Sequence, residues 1–209
     1  MPAEGEYVGD ETRHVARRND YYHRILETNL ARMSLEQLDI FESIMEALRA
    51  VHADPAGANV GRYFMLEGPG GVGKTLIMET VIAVCIVENL PVMATASTGI
   101  AANLLPRGQT LHSALRIPKG VTADARPTLE GHTQIAARLR RLAVLIVDEV
   151  SMLHRDVLNF AEMTLRELWP REHPRRQLPF GGTPIILSGN WAQLKPVVRH
   201  RELQSNSAP

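Results

Sequence analysis

The chain has 209 residues, of which 44% are apolar and 22% are charged, and its 23 basic residues balance its 23 acidic ones. This length and composition suit one soluble globular domain with a sizeable core. The neutral charge excludes a protein that binds nucleic acid through overall positive charge, so a nucleic-acid site must be local. The single cysteine, Cys85, excludes a disulfide within the chain and favours a reducing compartment.

The sequence shows no segment that directs a chain into a membrane. Its longest apolar run, residues 81–87, is far shorter than the roughly 20 residues that cross a bilayer. The first residues, MPAEGEYVGDETRH, lack the layout of a secretory signal, and their acidic side chains argue against a mitochondrial transit peptide. We expect no membrane association, and a location in the nucleus or mitochondrion of a eukaryote, or otherwise in the cytoplasm. The sequence leaves the oligomeric state open.

Helices and strands are predicted to alternate along the chain. Residues 1–33 form a polar and partly disordered segment, in which 13–32 has a thin helical stripe. Ser34 and Gln37 form a capping box that opens a helix running to about residue 52. The further predicted strands are 63–66, 91–96, 143–147 and 184–187, and the further predicted helices are 74–88, 99–105, 110–115, 133–142 and 155–168. Loops are predicted at 118–131 and 171–180, and a frayed tail at 199–209. The alternation predicts one α/β lobe over 34–198, with a parallel sheet and helices on both faces.

A glycine-rich segment between the first predicted strand and its helix fits the phosphate-binding pattern G-x-x-x-x-G-K-[ST]. Glycines let successive backbone N–H groups curl around an anion, and the helix N-terminus adds further donors. Lys74 is placed to reach the β- and γ-phosphates, and Thr75 to offer its hydroxyl to Mg²⁺. A glycine-rich turn with an exposed lysine is the alternative, which the flanking strand and helix disfavour. The predicted nucleotide-binding residues are Gly68, Pro69, Gly70, Gly71, Val72, Gly73, Lys74 and Thr75.

An acidic pair, Asp148-Glu149, follows the strand over 143–147, which reads as buried on both faces. In a P-loop fold an aspartate at this place faces the Mg²⁺. The adjacent glutamate can act as a general base on water. A solvated acidic turn is the alternative. The pair favours a hydrolase or motor over a small-molecule kinase, because a kinase transfers its phosphoryl group to a substrate and not to water.

Several further segments resemble the Pif-one-like DNA helicases, a family that includes the Helitron helicases and is related to RecD in helicase superfamily one. The segments are Ala96–Ala102, Leu104–Pro106, Thr110–Ser113, Ile117-Pro118, Asp148–Met152, Phe180–Gly182 and Gly189–Val197. Their order and spacing cover the chain from about Leu35 to Val198.

The resemblance implies a RecA-like lobe of an ATP-dependent helicase that moves 5′ to 3′ on single-stranded DNA, in repair, recombination and telomere maintenance. It implies that Lys74, Glu149 and Gln193 are catalytic, with Gln193 sensing the γ-phosphate, and that Thr75 and Asp148 hold Mg²⁺. Gln37 resembles the adenine-reading glutamine of the family, although a simple capping role is equally compatible. The implied DNA contacts are Ser97, Thr98, Gly99, His112 and Ser113, where a packed histidine is the alternative for His112.

Two departures from the family pattern bear on activity. Asn190 stands where the family has an acidic residue, which places the coupling between hydrolysis and DNA in question. The matching motifs also end near Val198, before those of a second RecA-like lobe with its arginine finger. This chain alone is therefore expected to bind ATP and to hydrolyse it poorly.

A nucleotide-binding module without motor activity and an unrelated P-loop enzyme remain as alternatives. Arginines 138, 140, 141, 171, 175 and 176 are candidate DNA contacts, or more simply solvated charges.

Overall fold

The computed structural model describes residues 17–190, apart from 18, 59 and 128–132. The predicted tail and Gln193 lie outside the described residues. Within the described part, no helix combines the length and apolar character required to span a bilayer.

Five parallel strands form one sheet in the order β1-β5-β4-β2-β3. The strands are β1 Tyr63–Glu67, β2 Val92–Ala96, β3 Gln109–Thr110, β4 Val144–Asp148 and β5 Ile185–Gly189. Strand β4 lies in the middle and is buried along its whole length, as the apolar run over 143–147 predicts. The fold class predicted from the sequence, an α/β parallel sheet, is confirmed.

Helices cover both faces of the sheet. They are α1 over residues 19–30, α2 Leu35–Ala53, α3 Lys74–Val87, α4 Gly99–Ala102, α5 Leu111–Leu115, α6 Thr133–Arg140 and α7 Arg155–Glu167. Apolar side chains of α2 and α3 form one core with Val144, Ile146 and Ile186. Those of α5, α6 and α7 form the second core on the other face, with Leu145 and Ile185. Alternate residues of β4 and β5 thus serve opposite cores, which fixes the register of each strand.

Helix α1 belongs to the packed core. Tyr22 is buried in the core beside α2 and α3, and the amide of Asn29 donates to the hydroxyl of Thr80 at 3.2 Å. The predicted lobe boundary at residue 34 therefore leaves out a helix that packs on α3. Tyr22 and Asn29 attach this helix together with Ile25 and Leu26, which pack against the same core.

The predicted loop over 171–180 contains one short 3₁₀ helix, Pro174–Gln177, followed by a tight turn over Pro179–Gly182 in which Phe180 and Gly181 have left-handed φ angles of +53° and +59°. Arg175 is buried at their centre, where it donates to the carbonyl of Gly181 at 2.6 Å and to the hydroxyl of Thr183 at 3.2 Å. Its guanidinium also lies 4.2 Å from the ring centre of Trp169. Burial lowers the pKa of this guanidinium. Both sequence-based interpretations of Arg175, as a DNA contact and as a solvated charge, are wrong, because its guanidinium is buried and donates to groups of the loop itself.

Replacing Arg175 by alanine is expected to lower the free energy of unfolding by roughly 2–4 kcal/mol, through lost packing and unsatisfied buried acceptors. Urea unfolding of the variant measures this loss. The matched control is Arg171→Ala, since Arg171 is exposed in the same segment. Equal stability of the two variants would show that the buried contacts of Arg175 contribute nothing.

Candidate functional site

The carboxyl ends of the parallel strands meet at one edge of the sheet. The glycine-rich loop follows β1, Ser97 follows β2, and the acidic pair closes β4. The register aligns Glu67 with Gly189 and Ala96 with Asp148. Only β5 separates β1 from β4, so the loop and Asp148 lie about two strand spacings apart, roughly 10 Å. This edge is where α/β folds bind their ligands.

The loop over Gly68–Gly73 exposes backbone donors at the start of α3. Gly71 and Gly73 have φ angles of +84° and +90°, a region that favours glycine. Gly73 precedes the first helical residue and caps the helix without a side-chain hydrogen bond. The first N–H groups of α3 therefore remain available to an anion, and the helix dipole favours negative charge there.

Lys74 lies folded over this loop. Its ammonium group donates to the carbonyls of Gly68 at 2.6 Å and Pro69 at 2.8 Å. Thr75 follows it in the first turn of α3 and is exposed. The loop and the first turn of α3 thus carry a cation, a hydroxyl and free backbone donors at adjacent positions, which is the donor set that a Mg²⁺-bound polyphosphate requires.

Gln37 joins α2 to the loop. Its Oε1 accepts from the backbone of Ser34 at 3.0 Å, which completes the capping box, and its Nε2 donates to the carbonyl of Val72 at 2.9 Å. A Cβ atom at residue 73 would overlap the Gln37 amide, so glycine is required there for the approach. The amide retains one N–H and one lone pair. The capping role is observed, and an adenine contact through the remaining groups stays a prediction.

A cavity of about 450 Å³ lies between α2 and the loop. Its walls combine the apolar side chains of Ile40 and Phe64 with the polar groups of Gln37 and Lys74. A mostly apolar cleft with a few polar groups suits a small planar ligand.

The acidic pair has the geometry of a tight turn. Asp148 is 7% exposed, and its Oδ1 accepts from the backbone of Glu149 at 2.8 Å. Its carbonyl accepts from the backbone of Ser97 at 3.1 Å and so ties β4 to the end of β2. Glu149 has a φ of +52° and opens the 3₁₀ turn Val150–Met152. The left-handed backbone turns the chain sharply at the residue that is predicted to act as the base.

The two segments predicted to contact DNA lie side by side. Ala96 pairs with Thr110, so Ser97–Gly99 and His112-Ser113 leave neighbouring strands at the same edge. The Thr98 hydroxyl accepts from the backbone of Ala101 and begins α4. Thr110 does the same for Ser113 and begins α5. Gly99 and Ser113 are exposed, and His112 is half-buried.

Comparison with known proteins decides the family. A sequence model described as a PIF1-like helicase matches residues 32–208. The chain belongs to the PIF1-like helicase family. The ATP-dependent DNA helicase Pif1 of Psychrobacter is 36% identical over 139 residues, which cover 66% of this chain and 20% of that protein. The helicase RRM3 of Saccharomyces cerevisiae is 31% identical over 139 residues, covering 65% of this chain and 18% of that protein.

Solved PIF1-family structures share the fold. Bacteroides Pif1 bound to single-stranded DNA has a TM-score of 0.58 and 26% identity, covering 78% of this chain and 34% of that one. Two Pif1 helicases coordinating at forked duplex DNA give a TM-score of 0.64 at 27% identity, covering 81% of this chain and 36% of the other. The chain therefore spans about a third or less of the PIF1-family proteins that it matches.

The structure adds two residues to the candidate site that the sequence motifs did not assign. The Thr110 hydroxyl caps the start of α5 by accepting from the backbone of Ser113. A threonine three residues before the bonded N–H is the sequence signal of such a cap. Ser151 lies buried beside the acidic pair, and only its place in the Asp148–Met152 motif hints at this. Asn190 is half-buried at the end of β5, and Gln193, the predicted γ-phosphate sensor, falls outside the described residues.

Replacing Gln37 by alanine is expected to lower the free energy of unfolding by about 1 kcal/mol, because the variant loses half of the capping box and the bond to Val72. Affinities for ATP and GTP then separate its two roles. An equal loss for both nucleotides means that Gln37 supports the loop, whereas a loss confined to ATP means that it reads adenine. Glu42→Ala, at an exposed position of the same helix, is the control.

Proposed function

We propose that this chain is the ATPase lobe of an ATP-dependent DNA helicase that moves 5′ to 3′ along single-stranded DNA. We further propose that it serves DNA repair, recombination and telomere maintenance. The observation that carries the proposal is the meeting of the phosphate loop, the acidic pair and the two DNA-contact segments at one sheet edge.

The residues at this edge fit a nucleoside triphosphate with Mg²⁺. The uncapped start of α3, the positive-φ glycines and the Lys74 ammonium suit its phosphates, and the cavity beside Gln37 suits its base. Thr75 and Asp148 would hold the metal, because Mg²⁺ prefers hard oxygen ligands and keeps several waters. When bound, the metal neutralises charge that develops on the phosphate oxygens.

Each catalytic residue has a separate task in this proposal. Lys74 exchanges its two loop carbonyls for phosphate oxygens and so orients the terminal phosphate. Glu149 accepts a proton from the attacking water. Gln193 is proposed to register the γ-phosphate from the segment that follows β5, and so to link hydrolysis to movement on DNA.

The segments predicted to contact DNA offer hydroxyl and backbone donors and contain no lysine, arginine or acidic residue. Thr98 accepts from Ala101 through its oxygen, so its O–H remains free to donate. Such groups hold phosphates and fix the position of a strand without reading its sequence. This suits a motor that must pass over every sequence.

A nucleotide-binding module without motor activity is the second candidate, and Asn190 favours it. An amide there lacks the negative charge that the family places at the end of β5. Such a module would keep the phosphate loop and lose the response of hydrolysis to DNA.

ATP hydrolysis by the purified chain, with and without single-stranded DNA, tests the proposal. We expect slow hydrolysis that rises with DNA and disappears in Lys74→Ala. A chain that binds nucleotide but hydrolyses ATP at the same rate with and without DNA would favour the second candidate. Hydrolysis that survives in Lys74→Ala would come from a contaminant or another site.

A further inference from the structure

Buried polar atoms without a partner are concentrated at the proposed nucleotide site. Seven buried side-chain atoms find no hydrogen-bond partner among the described residues, and four of these lie at the carboxyl edge. The four are Ser97 Oγ, Glu149 Oε2, Ser151 Oγ and Ser188 Oγ. Because an unsatisfied buried group is destabilising, such a cluster indicates groups whose partner lies outside the described residues, and a bound water or ligand is one such partner.

Ser151 is the most informative member. It is 5% exposed and sits in the 3₁₀ turn that Glu149 opens, where the backbone of Met152 donates to the carbonyl of Glu149 at 3.0 Å. The turn lies against the end of β5: a Cβ atom on Gly189 would stand 3.5 Å from Ser151 Oγ and 3.3 Å from its nitrogen. The hydroxyl is therefore held between the proposed base and the strand that leads to Asn190.

Glu149 Oε2 and Ser151 Oγ come from the same turn and do not bond to each other, since both lack a partner. One water bridging them would give the carboxylate a donor and the hydroxyl an acceptor. The hydroxyl can donate to one lone pair of that water, while the carboxylate accepts one of its hydrogens. The second lone pair is then held in a fixed direction, which the carboxylate alone cannot achieve because it has no donor.

We propose that Ser151 is a positioning residue of the hydrolytic site, which together with Glu149 holds the water that faces the γ-phosphate. This inference rests on the proposed nucleotide site and assigns a role that the P-loop and acidic-pair motifs do not contain. Ser151 acts through the water and the Glu149 turn, so it should affect the state with a filled γ-phosphate position and leave diphosphate binding unchanged.

The test compares affinities for ADP and for ADP with aluminium fluoride, a γ-phosphate mimic, in the full chain and in Ser151→Ala, both with Mg²⁺. The variant should bind ADP like the parent and bind the mimic about tenfold more weakly, which corresponds to one ordinary hydrogen bond. Ser151→Cys keeps the side-chain volume with a weak donor, and it should give the same result.

Thr80→Val is the matched control, because the Thr80 hydroxyl is equally buried but bonded to Asn29 and to the carbonyl of Leu76. It should lower the melting temperature of the nucleotide-free chain and leave the ADP-to-mimic ratio intact. Ser151→Ala should leave the melting temperature unchanged and alter the ratio of the ADP affinity to the mimic affinity. A melting temperature that falls as far as in Thr80→Val, or an unchanged ratio, overturns the proposal.

The outcome for the parent separates this inference from the proposed function. A parent chain that binds neither nucleotide refutes the nucleotide site itself, and the role of Ser151 falls with it. A parent that binds ADP but gains nothing from aluminium fluoride leaves the nucleotide site standing and overturns only the role of Ser151.

Discussion

Lys74→Ala is expected to weaken ATP binding by about 100-fold or more. The ammonium group already lies within the loop, 2.6 Å from the carbonyl of Gly68 and 2.8 Å from that of Pro69, so it needs little movement to reach a phosphate. Hydrogen bonds to charged groups contribute about 1.5–3 kcal/mol each, and two such bonds account for a loss of this size. Isothermal titration with Mg-ATP measures the affinity directly.

Lys119→Ala is the control for this change, because Lys119 is exposed and lies outside the cavity beside the loop. Both variants should keep the melting temperature of the nucleotide-free chain close to that of the parent, since the bonds of Lys74 to the described residues go to two carbonyls of a partly exposed loop. An ATP affinity unchanged in Lys74→Ala would refute the assignment of the loop.

Glu149→Gln is expected to retain ATP affinity and to lower the hydrolysis rate by about 10²- to 10⁴-fold. The amide keeps the size of the carboxylate but cannot take a proton from water, and general-base catalysis contributes a factor of this order. The left-handed backbone at Glu149 is unaffected by the exchange, so the turn should persist. Single-turnover hydrolysis with excess enzyme detects the slow residual rate.

An exposed glutamate serves as the control for that experiment: Glu172→Gln alters the charge equally at a position away from the acidic pair. The control should hydrolyse ATP at the parent rate. Turnover of Glu149→Gln at the same rate would mean that another group activates the water.

The sequence predicts those parts of the fold that depend on local patterns. The first four residues of β4 are branched and apolar, a sequence typical of a strand that is covered by helices on both faces, which is where β4 lies. The capping box at Ser34 fixes the start of α2 at Leu35. The phosphate loop is predictable because its glycines, lysine and threonine must be contiguous to surround an anion.

Features created by distant contacts could not be predicted in this way. Strand β3 has two residues and exists only because Gln109 and Thr110 pair with the end of β2. Arg175 belongs to a sequence that looks like a charged loop, yet it is buried by Trp169 and by carbonyls that only the folded loop brings together. The bond from Gln37 to Val72 joins residues 35 positions apart, so the capping pattern gives no sign of it.

Cys85 shows the same division between local and distant effects. Its apolar neighbours predict burial, and it is fully buried in the core of α3. Burial raises the pKa of its thiol to about 12, a value set by the whole surrounding core. The thiol therefore stays protonated at neutral pH, and a protonated thiol is a poor nucleophile.

A DNA motor requires that nucleotide binding and DNA binding are coupled. This coupling is measured by the affinity of the chain for a single-stranded oligonucleotide without nucleotide, with ADP and with ADP–aluminium fluoride. The phosphate loop and the segments predicted to contact DNA share one edge, where the backbone N–H of Ser97 donates to the carbonyl of Asp148. We therefore predict that DNA affinity changes with the state of the nucleotide, and that DNA changes nucleotide affinity by the same factor. DNA affinity that is identical in all three states, while nucleotide binding is intact, would contradict the account of this lobe as part of a DNA motor.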